Sequence, residues 1–139
     1  MLFLAILLTF SAQAQDGVLG QWKTIDDESG KAKSVVEITK LGEIYHGKIV
    51  RLIEPDEANP VCKLCEGDKA NQPVEGLEII WDIKEVKPNQ EWGGGKILDP
   101  KNGKTYKCRL RLKDSGQKLE VRGFIGFSLI GRSQTWLRP

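Results

Sequence analysis

Three cysteines and a single histidine are the residues of this 139-residue chain with the most specific chemistry, and their spacing frames what it can do. Cys62 and Cys65 form a C-x-x-C pair, Cys108 lies well downstream, and His46 precedes all three. A redox pair of the thioredoxin type needs its first cysteine at a helix N-terminus inside a βαβ unit, where the thiol pKa is lowered. Here Asn59-Pro60-Val61 leads into a loop instead. Two readings stay open. A disulfide between Cys62 and Cys65 would pin that loop and leave Cys108 as a thiol; alternatively, Cys62, Cys65, Cys108 and His46 complete a Cys3His zinc set. The disulfide is the preferred expectation, and no metal site is assigned, because zinc would require a strand and the loop to converge on one point. Cys108 alternates with Tyr106 and Leu110, so its thiol is expected inside, as a small buried apolar residue.

Other chemistry has little to work with. A lone histidine and no G-x-S-x-G leave acyl transfer without machinery. The glycines open no G-x-x-x-x-G-K-[ST] or G-x-G-x-x-G helix, so neither a phosphate loop nor any cofactor is expected. Only the fold could bring Asp and Glu together as a hydrolase pair. No catalytic residue is assigned, and an enzyme is the less favoured class. Trp22, Tyr45, Trp81, Trp92, Tyr106 and Trp136 are core or rim residues first, and ligand contacts if the domain holds a cavity.

The chain opens on an apolar run, Leu2 to Phe10, followed by Ser11-Ala12-Gln13-Ala14, a small-residue cleavage pattern. Residues 1–14 read as a signal peptide, although no Lys or Arg precedes the apolar run. A membrane span would need roughly 20 apolar residues. Residues 15–139 are then one domain, soluble, periplasmic or secreted, with one core. Residues 15–100 carry 11 basic and 17 acidic groups, a net of −6, and residues 101–139 carry 10 and 2, a net of +8. The asymmetry has two readings: oppositely charged strands that neutralise each other in the sheet, which is preferred, or a basic face for an anionic envelope component. No nucleic-acid partner is expected.

The elements that must position these residues are strands. Period-two alternation bounded by Gly, Pro, Asn or Asp recurs, most clearly over Tyr106-Lys107-Cys108-Arg109-Leu110-Arg111-Leu112-Lys113. Leu77, Ile79, Trp81 and Ile83 make a second apolar face; further strands are expected over 20–25, 33–40, 43–52, 92–98, 117–130 with a bend, and 132–138. A hairpin tip at Ser115-Gly116 sets Leu112 against Leu119, Leu110 against Val121 and Cys108 against Gly123, so register and apolar pattern agree. On the outer face the same register sets Arg111 against Glu120 but Arg109 against Arg122, a pair that needs an acid or a bound anion beside it. About eight antiparallel strands would leave two exposed edges in an open sheet, and closing it removes them. The expected fold is therefore all-β, a small antiparallel β-barrel of about eight strands in meander order. One stretch, 53–73, breaks the alternation with three prolines and two cysteines.

Four stretches together carry a family resemblance: Gly20-Gln21-Trp22-Lys23-Thr24-Ile25-Asp26-Asp27; Cys62-Lys63-Leu64-Cys65; Gly95-Lys96-Ile97-Leu98-Asp99-Pro100-Lys101-Asn102-Gly103-Lys104-Thr105-Tyr106; and Val121-Arg122-Gly123-Phe124-Ile125-Gly126 through Gly131-Arg132 to Trp136. The chain resembles the domain of unknown function 2147 family of exported bacterial proteins. The resemblance implies a bacterial exported protein and a compact β-barrel-like domain, and transfers no catalytic residue, cofactor or substrate. A weaker likeness is to lipocalins, whose first strand carries G-x-W and whose last supplies an Arg that packs on that Trp. Gly20-x-Trp22 and Arg132 or Arg138 occupy those places.

The functional expectation is a binding domain for a small apolar or amphipathic ligand. An eight-stranded barrel either fills with side chains or leaves room for one small molecule. The expected pocket is bordered by Trp22, Tyr45, Trp81 or Tyr106 and closed by the Cys62 to Cys65 segment. The alternatives are an envelope interaction protein using a basic outer face, with Arg109 and Arg122 as its anion site, or an uncharacterised enzyme.

Overall fold

The computed structural model describes residues 4–7, 16–127 and 130–139. The signal peptide expected over 1–14 lies outside them, apart from residues 4–7, which have no regular structure. Among the described residues no helix is long and apolar enough to cross a membrane.

Eight strands run in chain order: β1 Gly20–Ile25, β2 Ala32–Leu41, β3 Ile44–Leu52, β4 Glu78–Lys87, β5 Glu91–Asp99, β6 Lys104–Lys113, β7 Lys118–Phe124 and β8 Gly131–Leu137. Each pairs antiparallel with the next, and β8 returns to β1 to close the barrel. The β6–β7 register is the one the alternation dictates, with Leu112↔Leu119, Leu110↔Val121, Cys108↔Gly123 and Arg109↔Arg122. Turn chemistry fixes the connections. Gly42, at φ 63°, turns the two-residue β2–β3 hairpin. The Asp26 and Asp99 carboxylates accept hydrogen bonds from backbone N–H groups two residues on, at 2.8 and 2.9 Å, and start the β1–β2 and β5–β6 turns.

Two differences from the expected strands have clear causes. The stretch expected as one bent strand over 117–130 stops at Phe124; the described residues beyond it, 125–127 and 130, are outside any strand, and Ile125 N–H bonds to the Ile130 carbonyl. Strict alternation along β4 is broken by register shifts against β3, with Asp82 at φ 57°. These bulges put Ile80 opposite Gly47, so that Ile80 and Ile83 are both fully buried and Trp81 is only partly so.

The strand directions give the barrel two unlike ends. At one end lie the chain entering β1, the β2–β3, β4–β5 and β6–β7 turns, and the chain leaving β8. It is packed shut: Val18, Trp22, Tyr45, Trp92, Leu110 and Leu119 are almost wholly buried, and Tyr45 meets Trp92 edge to face at 6.1 Å. The other end carries the β1–β2, β5–β6 and β7–β8 connections and the long β3–β4 loop. The wall is uneven too. Neighbouring strands elsewhere share three or more register pairs, whereas β1 and β8 share the single pair Lys23↔Leu137. Side chains complete that seam, Arg138 at the packed end and Arg132 at the other.

Candidate functional site

Toward the second end the barrel interior is hollow. A cavity of about 490 Å³ lies there, walled by Ile49, Ile79, Ile97, Leu98, Val121 and Trp136. Two features leave the room. Gly123 stands where a side chain would project, with Tyr106 Cβ and Ile97 Cγ2 only 3.4 and 3.5 Å from the position a Cβ would take. Opposite the aliphatic wall, β1, β2 and β8 present the short or neutral polar side chains Thr24, Ser34 and Gln134. The Thr24 and Ser34 hydroxyls bond each other at 2.7 Å, both residues being buried, and Gln134 Oε1 accepts from the Trp136 indole N–H at 3.1 Å.

Charge is confined to the mouth, where Asp26, Asp27, Glu28, Lys33, Asp99, Lys101 and Arg132 stand. Arg132 reaches from β8 to the β1–β2 turn, where its guanidinium engages the Asp27 carboxylate and donates to Glu28 at 3.4 Å. That pairing lowers the Asp27 carboxyl pKa and raises that of Arg132; the two turn N–H groups on Asp26 lower its pKa as well. Four acidic and three basic side chains thus face one another at the mouth.

Of the four aromatics expected to border the pocket, Tyr106 alone lines the cavity, its hydroxyl accepting from Asn102 at 3.1 Å, and Trp136, the sixth aromatic that the sequence offered as a ligand contact, lines it too. Trp22 and Tyr45 belong to the packed end. Trp22 donates to the Val18 carbonyl at 2.8 Å, and the Tyr45 hydroxyl bonds the Asp16 carboxylate, which also holds Lys40 at 3.4 Å. Burial, followed by the Asp16 contact, raises the Tyr45 pKa. Trp81 packs under the β3–β4 loop, with the Lys69 ammonium 4.9 Å from its ring centre. Thr24, Ser34, Gln134 and Trp136 do line the cavity. Counting by twos from Trp22 and from Trp136 places Thr24 and Gln134 on the inward face, but a polar residue at an inward position does not by itself mark a pocket.

Cys62 and Cys65 are joined as a disulfide with Cα atoms 5.4 Å apart. They sit in a small hairpin held by Cys62 N–H to Gln72, Asn71 N–H to Cys62 and Val74 N–H to Pro60 carbonyl bonds. This hairpin supplies no wall of the cavity, contrary to the expected closure. It buttresses the β5–β6 turn: Gly103, at φ 72°, sits so close that a Cβ would strike the Leu64 carbonyl, and Cys62 Sγ lies 3.5 Å from the Pro100 carbonyl. The Cys3His alternative is not assembled. Cys62 and Cys65 bond each other, His46 Nδ1 is 3.1 Å from Glu78, and Cys108 is buried within the barrel, which pushes its thiol pKa up to about 12. Among the described residues no three His, Cys, Asp or Glu side chains gather to hold a metal.

On the outer face, the acid that the Arg109–Arg122 pair needs is Glu91. Its carboxylate lies 3.0 Å from Arg111, 3.7 Å from Arg109 and 3.7 Å from Lys87, while Arg122 donates to Ser133 at 3.0 Å. Burial raises the Glu91 carboxyl pKa, and the surrounding cations, Arg111 first, outweigh that effect and leave it lowered.

At the packed end, the Arg138 guanidinium lies 3.7 Å from the centre of the Trp22 ring and donates to the carbonyls of Gly17, Leu19 and Gln21 at 2.6, 3.1 and 2.9 Å. Of the two arginines the lipocalin likeness allowed, Arg138 is the one on the tryptophan. A family model described as "Uncharacterized protein conserved in bacteria (DUF2147)" matches residues 20–138, spanning every strand of the barrel. The chain belongs to the DUF2147 family. Among solved structures this DUF2147 protein is similar to HP1028 from the human pathogen Helicobacter pylori, described as belonging to the lipocalin family. The TM-score is 0.76 at 22% identity, over 88% of this chain and 82% of that one. At that identity the likeness establishes the fold, a lipocalin-like barrel. A search of curated proteins finds none that matches the DUF2147 chain.

Proposed function

We propose that this DUF2147 protein binds one small apolar or amphipathic molecule in the open half of its barrel, and does so outside the cytoplasm. The observation that carries the reading is the contrast between the two ends. The barrel is packed shut with aromatic side chains at one end, yet keeps a cavity of about 490 Å³ with aliphatic walls at the other. Pockets that enclose small molecules run to roughly 300–1,000 Å³, mostly apolar with a few placed polar groups. The Cys62–Cys65 disulfide and the apolar leader with its small-residue cleavage pattern support an oxidising compartment. Arg109, Arg111 and Arg122 give less support to an anionic envelope partner, because Glu91 and Glu120 already lie among them.

The test is native mass spectrometry of the protein isolated from its own cell envelope, with tryptophan emission followed during titration with apolar and amphipathic compounds. Trp136, in the cavity wall, supplies the signal. Gly123→Leu is the control, since its side chain would enter the cavity from a position with ordinary van der Waals room. Binding that Gly123→Leu abolishes supports the proposal. No bound species and no emission change in the unaltered protein overturns it.

A further inference from the structure

The cavity's buried polar groups are gathered on one side. Five consecutive strands, β3 to β7, line its depth with Ile49, Ile79, Ile97, Tyr106 and Val121, while the three that follow around the barrel, β8, β1 and β2, bring Gln134, Thr24 and Ser34 beside Trp136 and Ile25. All three are uncharged. Their hydrogen bonds leave donors unused: the Thr24–Ser34 contact consumes one hydroxyl proton of two, and Gln134 is engaged through its carbonyl oxygen, leaving its amide N–H₂ without a partner among the described residues. Thr24 and Ser34 are 9% and 7% exposed, so these are donors inside the protein rather than at its surface. Every charged residue bordering the cavity stands instead on a turn or strand end at the mouth. There Arg132 is held by Asp27 and Glu28, and Asp26 and Asp99 offset Lys33 and Lys101.

From this arrangement we infer that the ligand is an uncharged amphiphile with a hydrogen-bond acceptor, a hydroxyl, carbonyl or ester oxygen, which lies against Thr24, Ser34 and Gln134 while its hydrocarbon faces Ile49, Ile79, Ile97 and Val121. The inference rests on the binding reading above and specifies its ligand class. An acceptor without charge satisfies the unused donors at little desolvation cost. A carboxylate or ammonium carried to the same depth would lose its water and meet no counter-ion, the costliest kind of burial. A purely hydrocarbon ligand would leave the donors unmatched, and sites with unpaired buried polar groups discriminate against such ligands.

Decanol, methyl decanoate, decanoate and decylammonium, titrated into the full protein near neutral pH by calorimetry, separate the possibilities. The two neutral compounds are expected to bind at least tenfold tighter than either ion, a difference of about 1.4 kcal/mol. Gln134→Leu, and separately the paired Thr24→Val/Ser34→Ala change, should each weaken the neutral compounds several-fold while circular dichroism stays that of the folded barrel. Decanoate or decylammonium binding as tightly as decanol would place the polar group at the charged mouth and overturn the inference, leaving the binding reading intact. Neutral compounds indifferent to both variants would overturn it equally. If no compound binds, the binding reading itself fails and the inference falls with it.

Discussion

Replacing Arg138 by alanine removes the group that closes the packed end, and the structure sets the size of the effect. The guanidinium makes three charge-assisted hydrogen bonds, to the carbonyls of Gly17, Leu19 and Gln21, and covers the Trp22 ring at 3.7 Å. Hydrogen bonds to charged groups contribute roughly 1.5–3 kcal/mol each, and a cation over an aromatic ring about 1 kcal/mol. The bond to Gln21 is exposed, so water replaces it; those to Gly17 and Leu19 are partly buried and are lost more fully. Water entering the vacated end recovers part of the remainder, leaving an expected loss of about 3 kcal/mol. Urea unfolding monitored by tryptophan emission measures it, and native-state emission should shift to the red as Trp22 is uncovered. Arg138→Lys keeps the charge but not the planar fork, and should recover no more than about a third of the loss. Because the cavity lies at the opposite end, affinity for a bound neutral amphiphile should change less than twofold. A loss under about 0.5 kcal/mol with unshifted emission would refute the assignment of Arg138 as the closing group.

Glu91→Gln leaves Lys87, Arg109 and Arg111 without their shared carboxylate. With Arg111 38% exposed, the expected cost at neutral pH is about 2 kcal/mol, below the roughly 3–5 kcal/mol of a fully buried pair. Because the folded carboxyl titrates below its ordinary 4.5, this stability is present above about pH 4.5 and is lost as pH falls toward the lowered folded value, so the gap between wild type and variant should narrow in acid unfolding series. A gap that widens in acid would show that Glu91 is not held as a carboxylate. Intact mass after alkylation of the native protein should show one disulfide and no modification, because the Cys108 thiol is buried with its pKa pushed up to about 12. Under denaturing conditions without reductant, a single alkylated cysteine is expected, and three would contradict the Cys62–Cys65 bond.

The sequence makes the barrel legible where one face of a strand is buried and the turn residues are specific. β6 and β7 satisfy both conditions, and their register follows from Leu110, Leu112, Leu119 and Val121 alone. β4 does not. Its stretch Leu77-Glu78-Ile79-Ile80-Trp81 has apolar residues at both parities, and the bulges opposite Gly47 bury Ile80 as well as Ile79 and leave Trp81 only partly covered, an outcome set by the neighbouring strand rather than by β4. The cavity was half legible. That an eight-stranded barrel either fills with side chains or holds one small ligand is readable from the strand count, and a pocket bordered in part by Tyr106 is the expectation that the cavity matches. Which end stays hollow does not follow, because it depends on Trp22, Tyr45 and Trp92 converging from three strands far apart in sequence. The role of the cysteine loop was likewise hidden, since the contact between Gly103 and Leu64 joins segments with no common periodicity.

The grip of Arg138 on the start of the chain also has a kinetic side. Arg138 and Gly17 are 121 residues apart, and closing a loop of that length costs about 4 kcal/mol in chain entropy before any contact offsets it. The neighbouring hairpins close short loops and can form early; the β1–β8 seam, with one ladder pair and its side chains, has little local gain to pull it shut. Trp22 is therefore expected to stay open to water and to other chains until the last strand arrives. Any condition that delays β8, whether slow synthesis or a partial unfolding that peels β8 away, leaves both the exposed edge of β1 and that indole ready to pair with a second molecule. The protein's exposure to misassembly is set by how long its two ends stay apart.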